Sequence, residues 1–221
     1  MTKISAKLIG LTQPLIELRV PDAEGLLAFC ARVSNPAHQD KEIGSLFDYC
    51  IRNKHWSIFE MANAVVEVEA PRDISRQLLR HRSFSFQEFS QRYSDQVEFT
   101  GREFRRQDNK NRQNSTDDLD EESRNSAEEQ AWFIGDLANQ YYEKMRELGV
   151  AKECARVILP EGLTMSRLYV NGTLRSWLHY LDVRDDPGVT QWEHVLLARK
   201  IREVLEPAFP NVFGVLNVRE S

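Results

Sequence analysis

Arg80-His81-Arg82-Ser83-Phe84-Ser85-Phe86-Gln87-Glu88-Phe89-Ser90-Gln91-Arg92-Tyr93 sets three arginines, a histidine, a glutamate and three serines among four aromatics. Guanidinium forks grip phosphate oxygens two at a time, while hydroxyls and a carboxylate can read the rest of a small polar molecule. Holding so many guanidinium groups beside phenylalanines is costly unless an anion pairs with them. The stretch therefore points to a phosphorylated, hydrogen-bonding small molecule. Taken singly, each arginine could be only a dipole partner at a helix end, and each aromatic part of a half-buried strand. The density of the whole stretch favours a site.

The flanking elements must position these groups. Asp73 is the expected N-cap of a helix from Ile74 to about Arg80, with Arg76 and Arg80 on one face and Gln77 and His81 on another. Beyond Arg82 the pattern turns to period two, so an extended chain would point Glu88, Ser90 and Arg92 one way and Phe89, Gln91 and Tyr93 the other. Gln77, Arg80 and Arg82 would then face Glu88, Ser90 and Arg92.

The charge balance narrows the ligand. The 221-residue chain carries a net charge of −5, which argues against a surface given over to nucleic acid. Yet residues 72–112 hold nine arginines and one lysine against six acids, whereas 117–129 hold seven acids and one arginine. A local anion site on an acidic protein fits that split. No glycine pattern forms a dinucleotide fingerprint or phosphate loop, and no histidines or cysteines fall at metal spacing. Cys30, Cys50 and Cys154 read as buried thiols in a reducing compartment. With no apolar run of signal or membrane-span length, a cytoplasmic protein that binds neither membrane nor nucleic acid is expected.

The length suits one domain over 1–221, and the strands and helices expected along it an α+β class, a mixed or antiparallel sheet packed by helices. Strands are expected at Lys3–Leu11, Ala64–Ala70, Gln96–Arg105 and Leu163–Val170. Helices are expected from an Asp22 cap, from Asp40 to Arg52, from Ala127 to Leu148, from Ala151 to Leu159 and from Thr173 to Val183. Ala127, Ala131, Ile134, Leu137, Ala138, Tyr141, Met145 and Leu148 make the apolar stripe of the longest one. Asn171-Gly172 reads as a turn, Thr190 with Glu193 as a capping box for a last helix, and the polar residues 107–126 as a flexible loop.

Arg80-His81-Arg82 followed by seven residues and Ser90 resembles the RHRx7S signature of the flavin-dependent thymidylate synthases, the ThyX family. The likeness continues through Glu88, Arg92 and Tyr93. It takes in His55 with Ser57 and Glu60, Ala155-Arg156-Val157-Ile158-Leu159-Pro160, and Arg175-Ser176 leading to Arg184, so it spans roughly Lys41 to Pro207. The resemblance implies a homotetramer with sites at subunit junctions. It implies reductive methylation of dUMP to dTMP, with 5,10-methylenetetrahydrofolate giving the carbon and FAD, reduced by NADPH, giving the hydride. It assigns FAD to Ser57, Arg80, His81, Arg82, Glu88, Thr173, Leu174, Arg175 and His179. dUMP falls to Gln77, Leu78, Leu79, Arg80, Glu88, Phe89, Ser90, Gln91, Arg92, Arg156 and Arg184, with Arg184 catalytic. The resemblance also places His55 at the flavin and folate entrance. Some members carry a histidine shortly after the position of Arg184, where this chain has Pro187-Gly188-Val189-Thr190.

Two other classes use the same residues differently. An RNA-binding module would stack bases on Phe84, Phe86, Phe89 and Tyr93, with Arg72 to Arg112 on the backbone. A nucleotide-phosphate hydrolase would need metal ligands that the sequence does not cluster.

Overall fold

In Asn63–Pro71 (β2), Ala64, Val66, Val68 and Ala70 are fully buried while Val65, Glu67 and Glu69 alternate with them on the other side. That period-two pattern is what a strand with one covered face requires. The computed structural model describes residues 2–39 and 41–220. It pairs β2 antiparallel with Ser5–Leu11 (β1) on one side and Met165–Thr173 (β6) on the other. Ser85–Glu88 (β3) adds antiparallel to the outer edge of β6, giving a four-stranded sheet in the order β1-β2-β6-β3. The sheet is wholly antiparallel. A separate hairpin joins Arg106–Gln107 (β4) to Ser115–Thr116 (β5).

Helices cover one face. Ala23–Ala31 (α1), Gly44–Arg52 (α2), Leu174–Arg184 (α6), Trp192–Leu205 (α7) and Pro210–Glu220 (α8) share one core with β2 and β6, built on Leu27, Phe47, Trp177, Ile201 and Phe213. Burying each such side chain contributes about 1.5–3 kcal/mol. Trp177 is fully buried without leaving its indole N–H unmet, since Nε1 donates to the Ala64 carbonyl at 3.2 Å. Asp22 caps α1 by accepting from the Gly25 N–H at 2.8 Å, and Thr173 caps α6 by accepting from the Ser176 N–H. Both caps follow from the residue types.

Several sequence expectations fail, some through a tertiary partner and some through the local chain. Asp73 caps nothing: the helix is Arg72–Leu78 (α3), starting behind Pro71, and the Asp73 carboxylate receives both Nη atoms of Arg102 at 3.0 and 3.1 Å. Extended chain ends at Glu88, and Ser90–Tyr93 forms a turn closed by the Tyr93 N–H on the Ser90 carbonyl. The expected strand Gln96–Arg105 reduces to a single bridge, Phe99 with Thr164. Asn171-Gly172 is no turn, because both residues pair within β6 against β2. Thr190 forms no capping box, as its hydroxyl donates to the Val183 carbonyl and Glu193 turns to Gln191 and Arg102. The start of the Asp40–Arg52 helix lies at a residue outside those described; the described helix begins at Gly44.

The polar stretch 107–126 holds all of the β4–β5 hairpin but Arg106, and the long helix Glu121–Glu147 (α4), capped by Asp120, starts six residues before Ala127. Only Gly135 and Tyr142 of α4 are buried. None of its expected stripe is buried: Ala127, Ala131, Ala138 and Met145 are half-buried, while Leu137, Tyr141, Ile134 at 51% and Leu148 at 82% are exposed. Cys50 is buried, which pushes its thiol pKa up, but Cys30 is half-buried and Cys154 exposed. Lys152–Ala155 (α5) runs into a 3₁₀ turn at Arg156–Ile158. Among the described residues no helix is long and apolar enough to cross a membrane.

Candidate active site

The loop Leu79–Phe84, which follows α3, is held against both ends of α6. Phe84 is the reason the loop stays there. Its ring is buried and packs on Trp177 at 4.4 Å, with His81, Phe86 and Tyr180 around it. The Ser83 carbonyl accepts from the Ser176 hydroxyl at 3.2 Å, which ties the loop to the first turn of α6. Held this way, His81 meets the last residue of α6: Arg184 Nε donates to His81 Nε2 at 3.0 Å. Burial, then the positive charge of Arg184, pushes the His81 pKa down to about 4, so the imidazole is neutral and can accept that bond.

Arg184 thus has a neutral partner. The neighbouring acids are spoken for: Asp185 takes Arg199 at 2.9 Å and Arg202 at 3.4 Å, and Asp186 accepts from the Gly188 N–H. Among the described residues no carboxylate pairs with Arg184, and its charge is left for something outside the chain. Arg80 and Arg82 are exposed on the same loop and also have no carboxylate partner among the described residues. Guanidinium groups left this way suit bound phosphate or a developing anion.

A second cationic group lies at the far end of α3. Arg72, which the sequence marked only as the start of the arginine-rich run, has its Nη1 buried without a hydrogen-bond acceptor, 3.6 Å from Glu88 Oε1. Burial pulls the Arg72 pKa down; Glu88 counters this, and the nearby charges of Arg76 and Arg156 add to it. Glu88 is fixed by the Ser166 hydroxyl at 2.8 Å. Arg156 does not pair with Glu153, which instead lies 3.4 Å from Arg92. Arg92, Glu153, Tyr93, Arg146 and Lys152 line a cavity of about 390 Å³. The larger cavity, about 830 Å³ between Phe99–Arg102 and α4, lies apart from the His81–Arg184 pair.

The remaining sequence candidates fall into three groups. Thr173 and Arg175 at the start of α6 both bond Glu60, on the 3₁₀ turn Trp56–Glu60 that also carries exposed Ser57. His55 precedes this turn, exposed and edge-on to Tyr49, and His179 is exposed within electrostatic reach of His81. Leu78 and Leu174 are fully buried in the core and Leu79 packs against it, so any ligand contact from Leu78 or Leu174 would be through backbone. Phe89 is partly exposed and Gln91 is buried behind the Ser90 turn, whose Ser90 hydroxyl accepts from the Arg92 N–H.

Gln77 faces inward. Its Nε2 donates to Gln191 Oε1 at 2.7 Å and its Oε1 is 3.1 Å from His194 Nδ1, while His194 Nε2 is 3.1 Å from the Tyr180 hydroxyl. His194, Gln191 and Tyr180 escaped the sequence reading. The available signal was a histidine on the buried stripe of α7, spaced with Leu197, Ala198 and Ile201.

The chain matches the family model described as thymidylate synthase complementing protein over residues 15–211. It is 46% identical over 218 residues to a flavin-dependent thymidylate synthase of Synechocystis sp., covering 96% of this chain and 99% of the relative. It is 45% identical over 223 residues to a probable flavin-dependent thymidylate synthase of Paramecium bursaria Chlorella virus 1, covering 97% and 99%. Its fold is similar to the crystal structure of PolB, a UMP/dUMP methylase from Streptomyces cacaoi bound with 5-Br dUMP. The TM-score is 0.81 at 23% identity, covering 98% of this chain and 96% of that one.

Proposed function

The chain belongs to the flavin-dependent thymidylate synthase family and is an enzyme that methylates dUMP; in finer terms we propose that it makes dTMP reductively, with 5,10-methylenetetrahydrofolate as carbon donor and NADPH as the reductant of FAD. The observation that carries the residue assignment is the Arg184–His81 pair. A guanidinium held by a neutral imidazole keeps its full charge for the substrate. Beside the uracil it stabilises negative charge as N3–H is lost or C5 becomes nucleophilic. When bound, the flavin supplies the redox chemistry.

The residues suit that cofactor, because Arg80 and Arg82 offer unpaired donors where other folds use a glycine-lined turn. They would hold the FAD phosphates, with Ser57, Thr173, Arg175 and His179 adding further flavin contacts. Arg92 and Arg156 hold the dUMP phosphate, while Gln77, Glu88 and the Ser90 turn hold the rest. His55 stands at the folate entrance. The surface of α4 supports a homotetramer. Trp132, Phe133 and Ile134 are consecutive and all more than half exposed, so they point about 100° apart around the helix, and neighbouring copies would cover them. The enzyme works in the cytoplasm.

The test is direct. Purified protein should be yellow, change its flavin spectrum on adding dUMP, and form dTMP only when dUMP, methylenetetrahydrofolate and NADPH are all supplied. Colourless protein that forms no dTMP after FAD is added back would overturn the proposal.

A further inference from the structure

His194 is fully buried on the core stripe of α7, where an apolar residue would cost less. Both of its nitrogens are used, and their roles are determined from the two ends. The Tyr180 hydroxyl is buried and burial raises its pKa, so it stays protonated and donates to His194 Nε2. His194 Nδ1 therefore carries the proton and donates to Gln77 Oε1. From the other side, Arg102 Nη2 stands 3.2 Å from Glu193 Oε1, and Glu193 Oε2 accepts from Gln191 Nε2 at 3.0 Å. That leaves Gln191 Oε1 to accept from Gln77 Nε2 at 2.7 Å. The phenol and the Arg102–Glu193 ion pair agree on one orientation for both amides.

We propose that His194 is a positioning residue for the pyrimidine nucleotide, acting through Gln77. A glutamine amide that can flip presents donor or acceptor indifferently. Pinned between His194 and Gln191, the Gln77 amide keeps one N–H and one oxygen lone pair of fixed identity for the ligand. The two amides make the chain an orienting device and not a proton relay, since a neutral amide resists protonation. The inference rests on the reading that Gln77 contacts dUMP, and it adds a residue one helix further back. The electrostatics fit. Burial, and after it the charge of Arg184, pushes down the pKa values of both His81 and His194, so the two imidazoles stay neutral beside it.

The experiment measures dUMP affinity of the flavin-loaded protein by calorimetry, with thermal midpoints for every variant. Asparagine places an N–H close to where Nδ1 stands, and leucine removes both polar atoms at similar bulk. His194→Leu should weaken dUMP about tenfold, while His194→Asn should stay within about threefold of wild type. A merely structural role would lower both midpoints and leave dUMP affinity alone. Gln77→Leu should lose about the same factor, and the double variant Gln77→Leu/His194→Leu no more than either single one. Wild-type affinity in His194→Leu, multiplied losses in the double variant, or an unaffected Gln77→Leu would each overturn the proposal. None of these touches dTMP formation by the wild type, which tests the function separately. If His194→Leu fails to fold, ¹⁵N NMR of the wild-type imidazole decides, with a protonated Nδ1 expected and a protonated Nε2 overturning it.

Discussion

Gly172→Ala should damage the active site from inside the sheet. Gly172 pairs with Ala64 in β6 and its backbone is not left-handed, so alanine meets no conformational obstacle there. By intrinsic preference the change would even stabilise, by about 0.4–1 kcal/mol through the unfolded chain. The obstacle is the Phe84 ring. A Cβ at 172 would overlap Phe84 Cδ1 and Cε1, and also touch Ser176 Cβ at 3.5 Å. Restoring ordinary carbon contact takes a retreat of about 1 Å or more. The ring cannot give freely, because Trp177 lies 4.4 Å away and Phe86 and Tyr180 close the other sides. Overpacking of this kind costs about 1–3 kcal/mol, more than the chain-entropy gain. The retreat also drags Ser83 and His81, and with them the hold on Arg184. Misplacing a positioned group by 1 Å can cost roughly 100-fold in rate. Urea unfolding should show a lower midpoint at unchanged slope, and turnover should fall with it. Phe84→Leu in the Gly172→Ala background should recover part of the loss. Unfolding at the wild-type midpoint with turnover within about twofold of wild type would show that Phe84 does not hold the loop as argued.

Arg92→Ala should weaken dUMP by about 1.5–3 kcal/mol while barely changing deoxyuridine, which lacks the phosphate; equal losses in competition binding would remove the phosphate role. Acid should destabilise the fold before its carboxylates protonate. His81 and His194 titrate near 4 and 3 in the folded chain against about 6.5 unfolded, so between pH 6.5 and about 4.5 the unfolded chain binds protons that the native one does not. Stability should therefore fall as pH drops through that window, by up to about 1.4 kcal/mol per pH unit for each histidine, less for half-exposed His81. In chemical denaturation at stepped pH, His194→Asn should flatten the slope; an unchanged slope would mean His194 does not titrate this way. Trp132→Glu with Ile134→Glu should break the proposed homotetramer, read by sedimentation against the wild type, and a tetramer that survives both would place the interfaces elsewhere.

The sequence by itself determined what local chemistry controls. The alternation of β2, the Asp22 cap and the RHRx7S segment were readable because periodicity and capping depend on residues a few positions apart. That segment also identified the family, since it collects unusual residue types in one run. Tertiary structure decided every case in which one polar group had two partners to choose from. Asp73 goes to Arg102, 29 residues away, and not to its own helix; Thr190 goes to the Val183 carbonyl and not to a capping box. Gln77 is oriented by His194, 117 positions further on, and Arg184 keeps its charge because α7 takes Asp185 from it. The stripe of α4 shows the same limit for apolar groups, as periodicity marks a face that will be buried without saying against which chain. A side chain makes few bonds, and which elements arrive beside it is a property of the whole packing.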